Sequence, residues 1–130
     1  MAEHPNVETM RRGYAAFLSG DMDTVSSLFD DGITWHIGGS SPLTGDFVGK
    51  QDVFAHFMRL GELTKGTVGL DIHAILADDA HAAVLVDASH SAPAPYRGRE
   101  VHVWHLHDGL AAEFWSFPED QMALDASLNV

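Results

Sequence analysis

The stretch from Val101 to Phe117, VHVWHLHDGLAAEFWSF, constrains the fold more than any other part of the chain. Asp108-Gly109 lies between two runs rich in aliphatic and aromatic residues. A two-residue hairpin turn needs positive φ at both centres, which Gly adopts without a Cβ clash and Asp tolerates better than most residues. The chain is therefore expected to fold back here as an antiparallel pair. Successive side chains of a strand point to opposite faces. His102, Trp104 and Leu106 then share one face, and Val103, His105 and His107 the other. Imidazole beside indole on an otherwise apolar face marks either a ligand pocket or an interface.

The full chain has 130 residues, enough for one domain over 1–130 with a buried core. A content of 45% hydrophobic and 20% charged residues is that of a globular protein. No apolar run approaches the ~20 residues of a membrane span, so no membrane partner is expected. Met1-Ala2-Glu3-His4-Pro5 has neither the basic flank nor the apolar core of a signal peptide, and a cytoplasmic location follows by default. The absence of cysteine excludes a disulfide framework, a thiolate nucleophile and Cys-ligated zinc. The formal net charge is -12, from 7 Lys+Arg against 19 Asp+Glu. Phosphate binding relies on Lys and Arg, so nucleic acid is not an expected partner. The acidity is spread along the chain and reads as a solubility feature.

Val7, Met10, Tyr14, Phe17 and Leu18 fall on one face of an amphipathic helix from about Asn6 to Ser19, ended by Gly20. Asp21 or Asp23 caps a short second helix through Val25, Leu28 and Phe29. Asp30-Asp31-Gly32 reads as a turn, and Ile33 to Ile37 as a strand with Ile33, Trp35 and Ile37 on one face. Gly38 to Gly45 is loop chemistry. A third helix from about Lys50 to Gly61 is expected to bury Val53, Phe54, Phe57, Met58 and Leu60. Val68, Leu70, Ile72, Ala74 and Leu76 alternate as a strand. Asp78-Asp79 turns into a strand over Ala82–Ala88, and Arg97-Gly98-Arg99 leads into the hairpin. The tail after Pro118 reads as short and polar, with Met122 and Leu124 packing back. Serial antiparallel strands with helices on one side make an α+β layer arrangement. A sheet this long curls, and three helices over its concave side would leave a conical pocket.

Tyr14-Ala15-Ala16-Phe17-Leu18-Ser19-Gly20-Asp21, Leu28-Phe29-Asp30-Asp31-Gly32-Ile33-Thr34-Trp35, Pro42-Leu43-Thr44-Gly45 with Gly49, and Asp108-Gly109 with Glu113-Phe114-Trp115 resemble, in order and spacing, the SnoaL-like branch of the nuclear transport factor 2-like superfamily. The resemblance implies an α+β cone with a curved, mainly antiparallel sheet, three N-terminal helices, an apolar pocket and, commonly, a homodimer. Members include polyketide cyclases, ketosteroid isomerase and epoxide hydrolases. By the same resemblance, Tyr14 matches the helix-1 tyrosine that donates to a developing oxyanion in the isomerase. His102 falls where the isomerase has a protonated Asp and the cyclases a His. The isomerase's base Asp aligns near Ile37 or His36, and the cyclases' acid-base Asp with Ser116, so neither carboxylate is in its place.

His102 is the leading candidate for proton transfer, because imidazole titrates near neutrality. The alternative is a core histidine bonded to a backbone carbonyl. A buried Tyr14 hydroxyl needs a partner, which a ligand oxygen, water or a strand carbonyl would each supply. Trp35, Phe54, Met58, Trp104, Phe114 and Ser116 are the expected substrate-binding wall. Asp87, mid-strand among apolar residues, is either pocket-lining or on the outer face. His36 lies opposite Trp35 on a regular strand, and Asp120 reads as a turn residue. His105 and His107 share a face, but no third ligand of recognised spacing completes a metal site; no metal and no cofactor are expected. The outer sheet face, by the resemblance, packs on a second copy. The expected function is cofactor-independent acid-base catalysis (isomerisation, cyclisation or epoxide opening) on a small hydrophobic oxygenated molecule, with a non-catalytic ligand-binding or dimerisation module as the alternative.

Overall fold

The computed structural model describes residues 3–130. Met1 and Ala2, the start of the segment read above for a leader, lie outside the described residues. The helices are α1 (Pro5–Ser19), α2 (Met22–Leu28), α3 (Lys50–Thr64) and α4 (Gln121–Leu128). The strands are β1 (Phe29–Ile37), β2 (Gly45–Val48), β3 (Gly69–Ala77), β4 (His81–His90), β5 (Tyr96–His107) and β6 (Leu110–Pro118). They form one curved, unclosed sheet in the order β2-β1-β6-β5-β4-β3, a mixed α+β cone. Every neighbouring pair is antiparallel except β1 and β6, which run parallel.

The β5–β6 hairpin forms as its turn chemistry requires. Asp108 and Gly109 have φ of 50 and 78, and His107 pairs with Leu110. Trp104 then lies opposite Phe114 and His102 opposite Ser116. His102, Trp104 and Leu106 are buried, whereas His105 and His107 are exposed. On β4, Ala82, Val84, Val86 and Ala88 are buried on the same inward face. Fully burying a side chain of valine size is worth about 1.5–3 kcal/mol, so this alternation fixes which face turns toward the helices.

The N-terminus of α1 is pinned to the β3–β4 turn. His4 caps it by accepting from the Asn6 backbone N–H, and the Asn6 side-chain amide donates to the Asp78 carbonyl at 3.0 Å. Helical rise of ~1.5 Å per residue then carries Tyr14 ~12 Å along the helix, to the level of His102 and Trp104. Gly20 closes α1 in the left-handed region with φ 77. Helix α3 packs over β1 and β2, and α4 over the ends of β5 and β6.

Several expectations need correction. Asp30-Asp31-Gly32 is no turn: β1 runs through it, with Asp30 accepting from the Gly32 N–H and a register shift absorbing the irregularity. β3 is not one continuous alternation. A bulge between Ile72 and Ala74 reverses its faces, so Leu70, Ile72, Ile75 and Ala77 pack on the core while Leu76 is exposed. Leu18 is exposed on the far side of α1. Helix α3 continues to Thr64, and β2 and α4 were not read from the sequence. Asp120 caps α4 through the Ala123 N–H, Met122 is exposed, and Leu124 and Leu128 turn inward.

Candidate active site

Between the helices and the concave sheet lies a cavity of about 190 Å³. An apolar cavity of ~150 Å³ holds benzene, so this one suits a molecule of one or two rings. Its walls include Phe17, Phe29, Trp35, Phe57, Trp104 and Phe114. Trp35 stacks on Phe114 at 3.8 Å and meets Trp104 edge-on at 5.3 Å, which gives the cavity flat, rigid aromatic sides.

One chain of hydrogen bonds crosses this apolar interior. The Tyr14 hydroxyl lies 2.6 Å from His102 Nδ1. Trp104 Nε1–H donates to the Tyr14 oxygen at 3.2 Å. His102 Nε2 lies 2.9 Å from Glu100 Oε1, and the Ser116 hydroxyl donates to the same oxygen at 3.2 Å. A carboxylate only accepts, so it fixes the proton on Nε2. Nδ1 is then bare and receives the Tyr14 O–H, while Tyr14 receives the Trp104 N–H. Every member of the chain has its hydrogen where a neighbour can accept it. Burial pushes the Tyr14 hydroxyl well above its ordinary pKa, with the nearby Glu100 charge adding to the rise and the Trp104 hydrogen bond opposing it. Tyr14 is thus a neutral donor at every ordinary pH.

Tyr14, Trp35, His102, Trp104, Phe114 and Ser116 all line the cavity. Two expected wall residues, Phe54 and Met58, do not, and Asp87 takes the outer of its two expected placements. Phe54 packs into the aromatic core against Phe29 and Phe57. Met58 is 68% exposed, on the solvent side of α3, because His56, not Met58, occupies the inward position after Val53. Asp87 is exposed on the outer face of β4, opposite Arg99 and Asp71. His36 also faces outward, between Asp46 at 2.6 Å and Glu113 at 2.7 Å. His105 is exposed beside Glu113 at 3.3 Å. Among the described residues no three His, Asp or Glu side chains converge as metal ligands.

Glu100 was missed. β5 begins at Tyr96 rather than at Val101, so Glu100 stands two residues before His102 on the same inward face. That i, i+2 spacing was the available signal. Glu100 brings a carboxylate from β5 to the Ser116 position on β6.

The chain matches the SnoaL-like domain over residues 10–114 and belongs to that family. Among solved structures, Bal32a from a soil-derived mobile gene cassette is 32% identical, with 95% of this chain and 96% of that one covered and a TM-score of 0.90. A protein from Xanthomonas campestris with a cystatin-like fold is 21% identical over 98% and 100% of the two chains, with a TM-score of 0.91. TerC, co-crystallised with polyporic acid, is 18% identical over 96% and 98%, with a TM-score of 0.84. No match was found among curated protein sequences. The nuclear transport factor 2-like fold is thereby shown, in a family that includes cyclases and isomerases.

Proposed function

We propose that this protein is a cofactor-independent acid-base enzyme that moves a proton on a small, uncharged, ring-containing carbonyl compound. The observation that carries this reading is the Tyr14–His102–Glu100 chain set into an otherwise apolar cavity. Such a chain is costly to bury unless every member is satisfied, and here it ends in groups that can give and take a proton. No Lys or Arg lines the cavity, whereas Glu100 and Asp125 do. An anionic substrate would be desolvated against like charge, so the wild-type cavity favours an uncharged ligand over a carboxylate or phosphate. Positioned proton transfer contributes ~10²–10⁴-fold to rate, and a preorganised oxyanion donor a comparable factor.

The test is exchange of the hydrogens next to the carbonyl of bicyclic ketones such as 2-tetralone and 1-indanone in D₂O, followed by NMR. Wild-type protein is expected to accelerate exchange, and Tyr14→Phe to lower the rate by at least about tenfold. If Tyr14→Phe and His102→Ala both leave the rate unchanged, the assignment is wrong. Tight binding of the ketones without any exchange would instead make the protein a ligand-binding module.

We further propose that two copies associate through the outer face of the sheet. Leu76, Ala83, Val103 and Trp115 form a row across β3, β4, β5 and β6. Leu85, Val101 and Phe117 form a second row beside it, which gives a continuous apolar surface that solvent does not favour.

A further inference from the structure

His102 is the residue with the most evident chemistry in the cavity, yet both of its ring nitrogens are already engaged. Nδ1 receives the Tyr14 hydroxyl and Nε2 gives its proton to Glu100. An imidazole held on both sides has no lone pair to offer a substrate. The same bonds leave one acceptor free. Both donors that reach Glu100, from His102 and Ser116, go to Oε1. Oε2 takes no hydrogen bond from any described residue, and it is not among the buried polar atoms sealed off without a partner. Glu100 faces inward and lines the cavity, with a side chain only 10% exposed, so the space open to Oε2 is the cavity itself.

We propose that Glu100, through Oε2, is the base that takes the substrate proton, and that His102 is a positioning residue acting through Glu100 and Tyr14. This inference rests on the acid-base reading above and assigns its atoms. The C–H bond next to the carbonyl breaks, and its proton goes to Glu100 Oε2. The electron pair left on carbon forms a C=C bond as the C=O π pair moves onto oxygen. The negative charge therefore passes from the Glu100 carboxylate to the enolate oxygen. The Tyr14 hydrogen turns from His102 Nδ1 to that oxygen, while the Trp104 N–H stays on the Tyr14 oxygen. A solvent deuteron that replaces the proton on Oε2 before return to the same carbon gives exchange, and return of the proton to the carbon two bonds away in an unsaturated ketone gives the isomer. Isomerisation needs no proton, electron or co-reactant from elsewhere, and exchange needs only the deuterons of the solvent. His102 Nε2–H and the Ser116 hydroxyl hold Oε1 throughout, which aims Oε2 at the cavity.

The experiment compares Glu100→Gln, Glu100→Ala, His102→Gln and His102→Ala with wild type, using 2-tetralone as probe. Exchange is read by NMR, affinity by calorimetry and folding by thermal melting. Glu100→Gln is expected to lose about 10²–10⁴-fold in exchange with affinity for 2-tetralone within a few-fold of wild type. His102→Gln keeps an N–H toward Glu100 and is expected to lose about tenfold. Added formate, a free carboxylate base, restores exchange to Glu100→Ala in proportion to its concentration. If Glu100→Gln exchanges at the wild-type rate while His102→Gln is silent, or if imidazole rescues His102→Ala and formate fails with Glu100→Ala, this assignment is overturned and the acid-base reading stands. If folded wild-type protein binds 2-tetralone and exchanges nothing, both fall.

Discussion

His56 holds a buried ring nitrogen, Nδ1, that meets no hydrogen-bond partner. It stacks on Phe47 at 4.5 Å and is 4% exposed. Burial, helped by the Arg59 charge, lowers its pKa from 6.5 to about 4. His56 therefore stays neutral in the folded state at pH 5–6, where the unfolded chain is protonated. A folded pKa below the unfolded one means that stability is lost as pH falls from 6.5 toward 4. Over those 2.5 units the loss is about 3 kcal/mol. His90, lowered mainly by burial against the opposing pull of Glu100, acts in the same direction. His36 acts in the opposite sense. Its pKa is raised, first by the hydrogen bond to Asp46 and then by Glu113, against its own desolvation, so it contributes stability below pH 6.5 that fades as pH rises through its folded value. Urea midpoints of wild type and His56→Leu at pH 7, 5.5 and 4.5 isolate the His56 share. The wild type is expected to lose ground to the variant on acidification, and parallel curves would show that Nδ1 finds a proton-accepting environment after all.

At the scale of elements, α4 packs over the ends of β5 and β6 and lines the cavity. The Asp125 carboxylate accepts from the Ser40 N–H at 2.9 Å, and the Asn129 side-chain amide donates to the Ser40 carbonyl at 2.7 Å. The Ser127 carbonyl accepts from the Ala94 N–H at 3.2 Å, and its hydroxyl meets His90 Nε2 at 3.0 Å. Gly39, with φ 80, makes the first of these contacts possible, because a Cβ there would collide with the Gln121 amide and the Asp125 carboxylate. Gly39→Ala combines that collision with left-handed strain. It is expected to cost about 1–2 kcal/mol and to speed amide exchange in α4 more than in β4 or β5. Uniform exchange rates across all three elements would show that α4 is not held through Ser40. Of this only the inward packing of Leu124 was legible beforehand, since a helix of about two turns shows no clear period until its cap, Asp120, and its docking surface are known. The bulge in β3 was hidden for a related reason. Ile72 and Ala74 alternate correctly on paper, and only pairing with β4 shows that the face reverses between them. By contrast the hairpin, α1 and the shared face of His102 and Trp104 were readable, because turn chemistry and strong periodicity are local, whereas which strand face turns inward rested on the family resemblance. Glu100 was lost by starting β5 five residues late.

For the whole molecule, the sheet has an inward and an outward face, and the strict period of two along β5 separates them. Inward lie Glu100, His102 and Trp104; outward lie Val101, Val103 and His105. The outward rows leave Leu76 58% and Phe117 55% exposed, which is the surface of the proposed dimer. A specific interface buries ~1,600 Å² in total, and Val103, flanked by Ala83 and Trp115, sits at the middle of the apolar rows. Val103→Glu would place an unpaired carboxylate from each copy in the desolvated centre of such an interface. It is expected to raise the dimer dissociation constant by at least about 100-fold, read by sedimentation equilibrium or light scattering across a concentration series. Because Val103 points away from the cavity, binding of 2-tetralone by the resulting monomer should stay within a few-fold of wild type. Two results would count against this surface: a wild type that is monomeric at tens of micromolar, or a Val103→Glu protein that stays dimeric with an unchanged dissociation constant. A dimer that dissociates together with loss of ketone binding would show instead that the two faces are coupled, and that the cavity keeps its shape only when the sheet is braced by a second copy.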